Sequence, residues 1–196
     1  MKNLGQYNLY SYCWNNPVNM VDDEGYWPKW LVRLFSSKAQ KAQLDSLNLA
    51  EQKAAYKDPF GAKAMGKAQD LAYKWGKHYY GSIYNDDNIQ ANAFRHAMWN
   101  AAGVFLIGAS RTKAFTDAHE WGTSGASTDM DYFNNAAGRK IGQLYLDEVI
   151  TISFKKDSFT YYGVKIPLYG DHYANIALMV KTAANQGKGK VLKWIK

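Results

Sequence analysis

"DDNIQANAFRHAMWNAAGVFL", residues 86–106, decides the fold class. It opens on acidic and Asn residues suited to cap a helix and has no breaker before Gly103. Phe94, Met98, Ala101 and Phe105 fall on one helical stripe, as in a helix buried along one side. His96 stands two residues from Phe94, roughly 200° around the helix, so it lies off that stripe. Asn92, His96 and Asn100 recur every four residues and line a polar ridge, flanked by Arg95 and Trp99. A merely solvated ridge would more usually carry Lys and Glu. Asn-His-Asn beside Arg suits an anion or a metal-bound water.

The segments that follow repeat this design. "SRTKAFTDAHEWG" (110–122) predicts a short helix with Ser110 as cap and Gly122 as stop. Asp117 and Glu120, three apart, share a helical face, with His119 beside them. Carboxylates and imidazole together serve general acid–base chemistry or a hard-metal site. "STDMDYFNNAAGRKIGQLYLDEV" (127–149) predicts a third helix, with Thr128 and Asp131 at capping-box spacing. Its expected core stripe is Met130, Phe133, Ala137, Ile141 and Leu144. Asp131, Asn135 and Arg139 line another face, Asn134 is adjacent, and Gly138 and Gly142 let a backbone or a ligand approach closely. Asp129 and Asp131 also suit a helix N-terminus on electrostatic grounds alone.

On the N-terminal side, "FGAKAMGKAQDLAYKWGKHYYG" (60–81) reads as a helix weakened by Gly61, Gly66 and Gly76. "KAQLDSLNLAEQKAAYKD" (41–58) reads as one weaker helix ending before Pro59. "WPKWLVRLFSSKAQKAQ" (27–43) places Trp30, Leu31, Leu34 and Phe35 at helical spacing. On the C-terminal side, "ITISFKKDSFTYYGVKI" (150–166) predicts a β-hairpin turning at Lys156-Asp157. "DHYANIALMVKTAANQG" (171–187) predicts a closing helix stopped by Gly187. The expected fold is therefore mainly α, with one small β-hairpin near the C-terminus. His78 has no acidic neighbour and is expected to be structural; His172, after Asp171, is expected at a helix cap.

Composition narrows the function. The chain has 196 residues, 47% of them apolar and 15% aromatic, enough for a packed core. Neither an 18-residue apolar run nor an apolar N-terminal stretch occurs, so no transmembrane helix or signal peptide is expected. The one cysteine, Cys13, excludes an internal disulfide and a cysteine metal site. Net charge is +7 overall; residues 28–196 keep 23 of the 24 bases and 14 of the 17 acids, a formal +9. Such a surplus favours polyanionic partners, nucleic acid first, then anionic lipid or an acidic protein. "GKGKVLKWIK" (187–196) adds a basic tail. HExxH is missing because residue 123 is Thr, and neither a Walker A loop nor G-x-S-x-G is present.

"NLYSYCWNNPVNMVDDEG" (8–25) differs sharply in composition from the rest. It resembles the closing motif of the RHS/YD-repeat core, N-L-Y-x-Y-x-x-N-N-P-V-N-x-V-D-x-x-G, which ends a β-shell ahead of a variable toxin domain. The Asp-Pro junction at which some relatives self-cleave is absent, since Glu24 follows Asp22-Asp23. "NAFRHAMWNA", "FTDAHE" and "MDYFNNAAGR" together resemble a domain found at the C-termini of bacterial polymorphic toxins. The resemblance covers about residues 86–143. It implies an extended leader over residues 1–27 and a helical toxin domain over 28–196. It further implies delivery within a larger RHS protein, action in the target cell's cytoplasm, and a cognate immunity protein as partner. It names no reaction. It points to Arg95, His96, Trp99, Asn100, Asp117, His119, Glu120, Asp131, Asn134, Asn135 and Arg139.

The chemistry these residues suit best is phosphodiester hydrolysis. His96 or His119 would activate water or a ribose hydroxyl; Asp117, Glu120 and Asp131 would hold a divalent ion of unspecified identity. Arg95 or Arg139 would stabilise the phosphorane charge, and Asn92, Trp99, Asn100, Asn134 and Asn135 would bind substrate. Two alternatives remain open. One is hydrolysis of a phospholipid or lipid-linked cell-wall precursor, with "WLVRLF" and "KVLKWIK" touching the membrane. The other is a non-enzymatic membrane-disrupting or partner-binding module.

Overall fold

A computed structural model describes residues 38–152 and 156–196. The RHS-like motif, the proposed boundary at residue 27 and the helix expected around Trp30 lie outside the described residues. The fold is mainly helical, with a two-stranded antiparallel sheet near the C-terminus. Among the described residues, no helix is long and apolar enough to cross a membrane.

The single weak helix expected over 41–58 is two, α1 (Lys38–Ser46) and α2 (Leu49–Lys57). The break comes from Asn48 and Glu51, which form a reciprocal capping box: Asn48 Oδ1 accepts from Glu51 N at 2.9 Å, and Glu51 Oε2 from Asn48 N at 2.8 Å. α3 (Pro59–Tyr80) starts on an Asp58 cap with Pro59 in its first turn and runs through its glycines. A short 3₁₀ turn (Gly81–Ile83) leads to α4 (Gln90–Ile107), the central helix. α5 (Ala109–His119), α6 (Ala126–Ile152) and α7 (His172–Asn185) complete the bundle.

α4 packs against α3, α6 and α7. Phe94, Met98 and Ala101 are fully buried, as their spacing predicts, and Phe105 packs against them. Three expected caps differ. α4 begins after Ile89 and α5 after Gly108, both without a side-chain cap, and α6 begins at Ala126, so Thr128 and Asp131 lie within its early turns. α4 and α5 thus differ from α2, α3 and α7, whose starts carry side-chain caps from Asn48, Asp58 and Asp171.

Two further corrections concern α6. It continues to Ile152, so the first residues assigned to a strand are helical. The hairpin pairs β1 (Ser158–Tyr161) with β2 (Val164–Pro167) and turns at Tyr162-Gly163, not Lys156-Asp157. Tyr162 and Gly163 have φ of 45° and 80°, the positive pair that a two-residue hairpin loop demands. The expected core stripe of α6 is also rotated: Phe133 and Leu144 are 42% and 39% exposed. Met130 and Ile141 are buried as expected, and Asn134, Gly138, Gly142 and Tyr145 face inward with them. A Cβ on Gly138 would lie 2.7 Å from Ala97 Cα, and one on Gly142 2.6 Å from the Ala101 carbonyl oxygen. This backbone-close seam between α6 and α4 fixes which face of α6 is inside.

Candidate functional site

The same seam turns Asp131 and Asn135 toward the polar ridge of α4. His96 Nε2 lies 3.3 Å from Asp131 Oδ1, and His96 Nδ1 lies 3.6 Å from Glu120 Oε1, just past the end of α5. Ligand atoms of His96, Glu120 and Asp131 all fall within 4.8 Å of one another, a group able to hold a metal ion. Imidazole nitrogen with two carboxylate oxygens suits a borderline to hard divalent cation.

Behind this group runs a hydrogen-bond relay whose direction is determined. Arg139 has only donors, and its Nη1 donates to Asn100 Oδ1 at 2.9 Å and Thr116 Oγ1 at 3.1 Å. Asn100 Nδ2 therefore donates, to His96 O at 3.0 Å and Asn135 Oδ1 at 2.7 Å. Asn135 Nδ2 in turn donates to Glu120 Oε1 at 3.0 Å. Asn135 Oδ1 is thus an acceptor, so His96 Nδ1, 3.1 Å away, must carry the proton. In neutral His96 the lone pair then sits on Nε2, facing Asp131. The Asp131 Oδ1 it meets is buried and has no hydrogen-bond donor among the described residues.

The electrostatics are those of groups taken out of water. Burial pushes Asp131 up to about 6, with Asp87 adding to the rise and His119 and Arg95 opposing it. Burial raises Glu120 against the pull of His96, and lowers His96 against the pull of Glu120. His119 is raised, first by its hydrogen bond to Glu51, whose Oε1 lies 2.7 Å from Nδ1. Burial pushes Glu51 up, but His119 and the Asn48 N–H outweigh it and hold Glu51 low. Desolvation lowers Arg139, partly offset by Asp117.

His96, Glu120 and Asp131 open onto a polar cleft of about 350 Å³ that Arg95, Trp99, His119 and Asn92 also line. The Arg95 guanidinium donates to the Tyr84 carbonyl and lies 3.4 Å from Asp87. Trp99 is pinned through its indole N–H to Met65 O at 3.0 Å, with His119 edge-on to its ring. Arg95, His96, Trp99, Asn92, His119, Glu120 and Asp131 are therefore brought together as their motifs predict. Asn100 and Asn135 stand directly behind.

Other expected site residues are placed elsewhere. Asp117 pairs with Lys113 one turn away and is absent from the metal-type group and the cleft lining. Glu120, the C-cap of α5, keeps αR backbone angles, and of the two carboxylates it alone lines the cleft. Asn134 binds the C-terminal tail rather than the cleft, donating to Lys193 O at 2.7 Å and accepting from Lys193 N at 2.8 Å. Arg139 does not line the cleft; it acts through Asn100. His78 packs against Trp75 and Tyr79, in keeping with a structural role. Asp171, not His172, caps α7, and His172 Nδ1 lies 2.8 Å from the Tyr145 hydroxyl. His96 belongs to the metal-type group, where carboxylates alone were expected. Glu51 and Asn88 were missed: the Asn48–Glu51 capping spacing lay inside a stretch read as one helix, and nothing in it signals that Glu51 also reaches His119.

The family model described as "Domain of unknown function (DUF6973)" matches residues 52–160, and the chain belongs to that family. No curated protein and no solved structure matches the chain.

Proposed function

We propose that this member of the DUF6973 family is a divalent-metal-dependent phosphodiester hydrolase, a nuclease, acting as the effector domain of a polymorphic toxin. One observation carries the metal: a lone pair on His96 Nε2 faces the unpartnered Asp131 Oδ1 across 3.3 Å. Two acceptors so placed repel unless positive charge lies between them. A proton would serve that pair alone, whereas a divalent ion would serve His96, Asp131 and Glu120 together.

The charge of the cleft supports the same conclusion. Among the described residues, Asp87, Glu120 and Asp131 line it against a single permanent cation, Arg95. A phosphodiester would be repelled from those carboxylates without a bound cation, while the +9 of residues 28–196 draws a polyanion to the surface. With the ion in place, a water oxygen would form the new P–O bond and lose its proton to solvent as the P–O bond to the leaving group breaks. His119, held toward its protonated form by Glu51, would give the leaving oxygen its proton. Arg95 would offset the charge that builds on phosphorus oxygens. The toxin context, with delivery by an RHS shell, cytoplasmic action and an immunity partner, is supported by the motif at 8–25 and the three motifs of 86–143.

The test is titration of Mn²⁺ and Zn²⁺ into wild-type and Asp131→Asn protein, followed by incubation with tRNA, plasmid and liposomes with and without EDTA. One bound ion, lost in the variant, with EDTA-sensitive loss of tRNA or plasmid and intact liposomes, is the expected result. A wild-type protein that binds neither ion and leaves both nucleic acids intact sinks the proposal.

A further inference from the structure

Charge is divided across the cleft. α3, which borders it with Gln69, Ala72 and Tyr73, carries Lys63, Lys67, Lys74 and Lys77 against Asp70, a formal +3. α6, which borders it with Ser127 and Asp131, carries Arg139 and Lys140 against Asp129, Asp131, Asp147 and Glu148, a formal −2. The helical repeat puts the four lysines of α3 within an arc of roughly 80° and spreads them over roughly 21 Å of helix. All four are exposed. Among the described residues the ion pairs of lysine and arginine are Arg95–Asp87, Arg111–Asp58 and Lys113–Asp117, so no carboxylate neutralises this row. Lys67 and Lys74 lie 5.1 and 5.0 Å from the centroids of the Tyr173 and Trp75 rings, which steadies them without removing their charge. The row meets the cleft at Tyr73, roughly 40° around the helix from Lys77. That ring is 41% exposed; it stands perpendicular to Tyr84, centroids 6.3 Å apart, with the Arg95 guanidinium 5.8 Å over it.

We propose that the lysine face of α3 is a track for single-stranded nucleic acid, the four lysines holding the phosphate backbone and Tyr73 stacking on a base where the strand turns into the cleft. This rests on the hydrolase reading only for the scissile phosphate in the cleft. An unpaired base has a face to offer Tyr73, whereas a base inside a duplex has both faces covered by its neighbours. The strand would approach from the positive side, away from Asp129 and Asp131 of α6. An anionic bilayer fits this face less well, because helices that lie on membranes carry an apolar face to bury. From Lys63 to His78 the exposed residues of α3 are the four lysines, Asp70, Tyr73 and His78, with no Leu, Ile or Phe among them.

Binding to fluorescent single-stranded RNA and DNA, a duplex of the same length, phosphatidylglycerol vesicles and polyglutamate is measured over a salt series, in EDTA so that no bound ion cleaves the probes. The single strands should bind most tightly. Lys63→Gln, Lys67→Gln, Lys74→Gln and Lys77→Gln made together should flatten their salt dependence by about 0.7 in log–log slope per lysine. Lys53→Gln, Lys57→Gln, Lys140→Gln and Lys165→Gln, an equal loss of exposed charge elsewhere, should leave that slope unchanged. Tyr73→Leu should cut single-strand affinity by roughly fivefold or more, the worth of one stacked base, and spare the duplex. Tyr73→Phe, which keeps the ring, should bind as wild type. Equal slopes in the two lysine variants, a duplex, vesicle or polyglutamate bound as tightly as the single strands, or a Tyr73→Leu protein that weakens single strand and duplex alike overturns the proposal. Cleavage of the same RNA and DNA with Mn²⁺ is followed separately. Binding that depends on the α3 lysines without any cleavage would keep the track and sink the hydrolase; cleavage with binding indifferent to those lysines would do the reverse.

Discussion

Gly138 of α6 lies directly on Ala97 of α4, close enough that a Cβ would fall 2.7 Å from Ala97 Cα. Ala97 follows His96, and Gly138 stands one turn beyond Asn134 and Asn135, so the contact that packs the helices also assembles the metal-type group. On propensity alone, Gly138→Ala should stabilise a helix by about 1 kcal/mol. Overpacking works the other way, by about 1–3 kcal/mol or more. The expected result is a net fall in melting temperature of several degrees with weakened divalent-ion binding. A more stable Gly138→Ala protein would show that the seam is looser than described.

Arg139 is a positioning residue in this structure. Arg139→Met should free the Asn100 amide to turn over, and with it the proton preference of His96. Divalent-ion affinity should fall about 10- to 100-fold, the usual effect of removing a support behind a metal ligand. Arg139→Lys, which also has only donors, should recover part of the loss. Calorimetry on both variants, with melts to confirm folding, checks this. Equal affinities in the Met and Lys variants would deny the relay its directing role.

The proposed nuclease activity should separate residues that one helical face made equivalent. Glu120→Gln keeps the shape but removes a charged ligand, and its rate should fall by about 10²-fold or more. Asp117→Asn breaks a solvent-screened pair with Lys113 and should change the rate little, as should His78→Ala. A dead Asp117→Asn enzyme with intact fold would place Asp117 back in the chemistry.

Acid should find a weak point away from the cleft. Asp58 caps α3 through Gly61 N at 2.9 Å and receives the Arg111 guanidinium at 2.7 and 2.8 Å. The Arg111 hydrogen bonds outweigh burial and hold its carboxyl below the ordinary aspartate range. The folded value is depressed, so the stabilisation is present above the unfolded value of about 3.9 and is lost as pH falls through the folded one. Asp58→Asn can still cap but has no proton to gain. Its melting temperature should therefore decline less steeply than wild type below about pH 4. Identical slopes would mean that the ion pair contributes nothing to acid stability.

Local spacing was enough for much of this protein. It determined the helical class, the buried stripe through Phe94, Met98 and Ala101, a hairpin near the C-terminus, and the separation of His96 from the core stripe. These follow from the 3.6- and 2-residue periods, which depend only on near neighbours in the chain. The tertiary structure decided the rest. Phe133 and Leu144 have the spacing of core residues, yet α6 turns them outward because Gly138 and Gly142 must meet Ala97 and Ala101. Asp117 and Glu120 are equivalent by spacing, yet only Glu120 meets His96, while Asp117 pairs with Lys113. Asn135 meets His96 across 39 residues of sequence, and Glu51 meets His119 across 68. No period links such positions. They meet because the closest approach of backbones selects one rotation of each helix, and that rotation decides which polar groups lose water together.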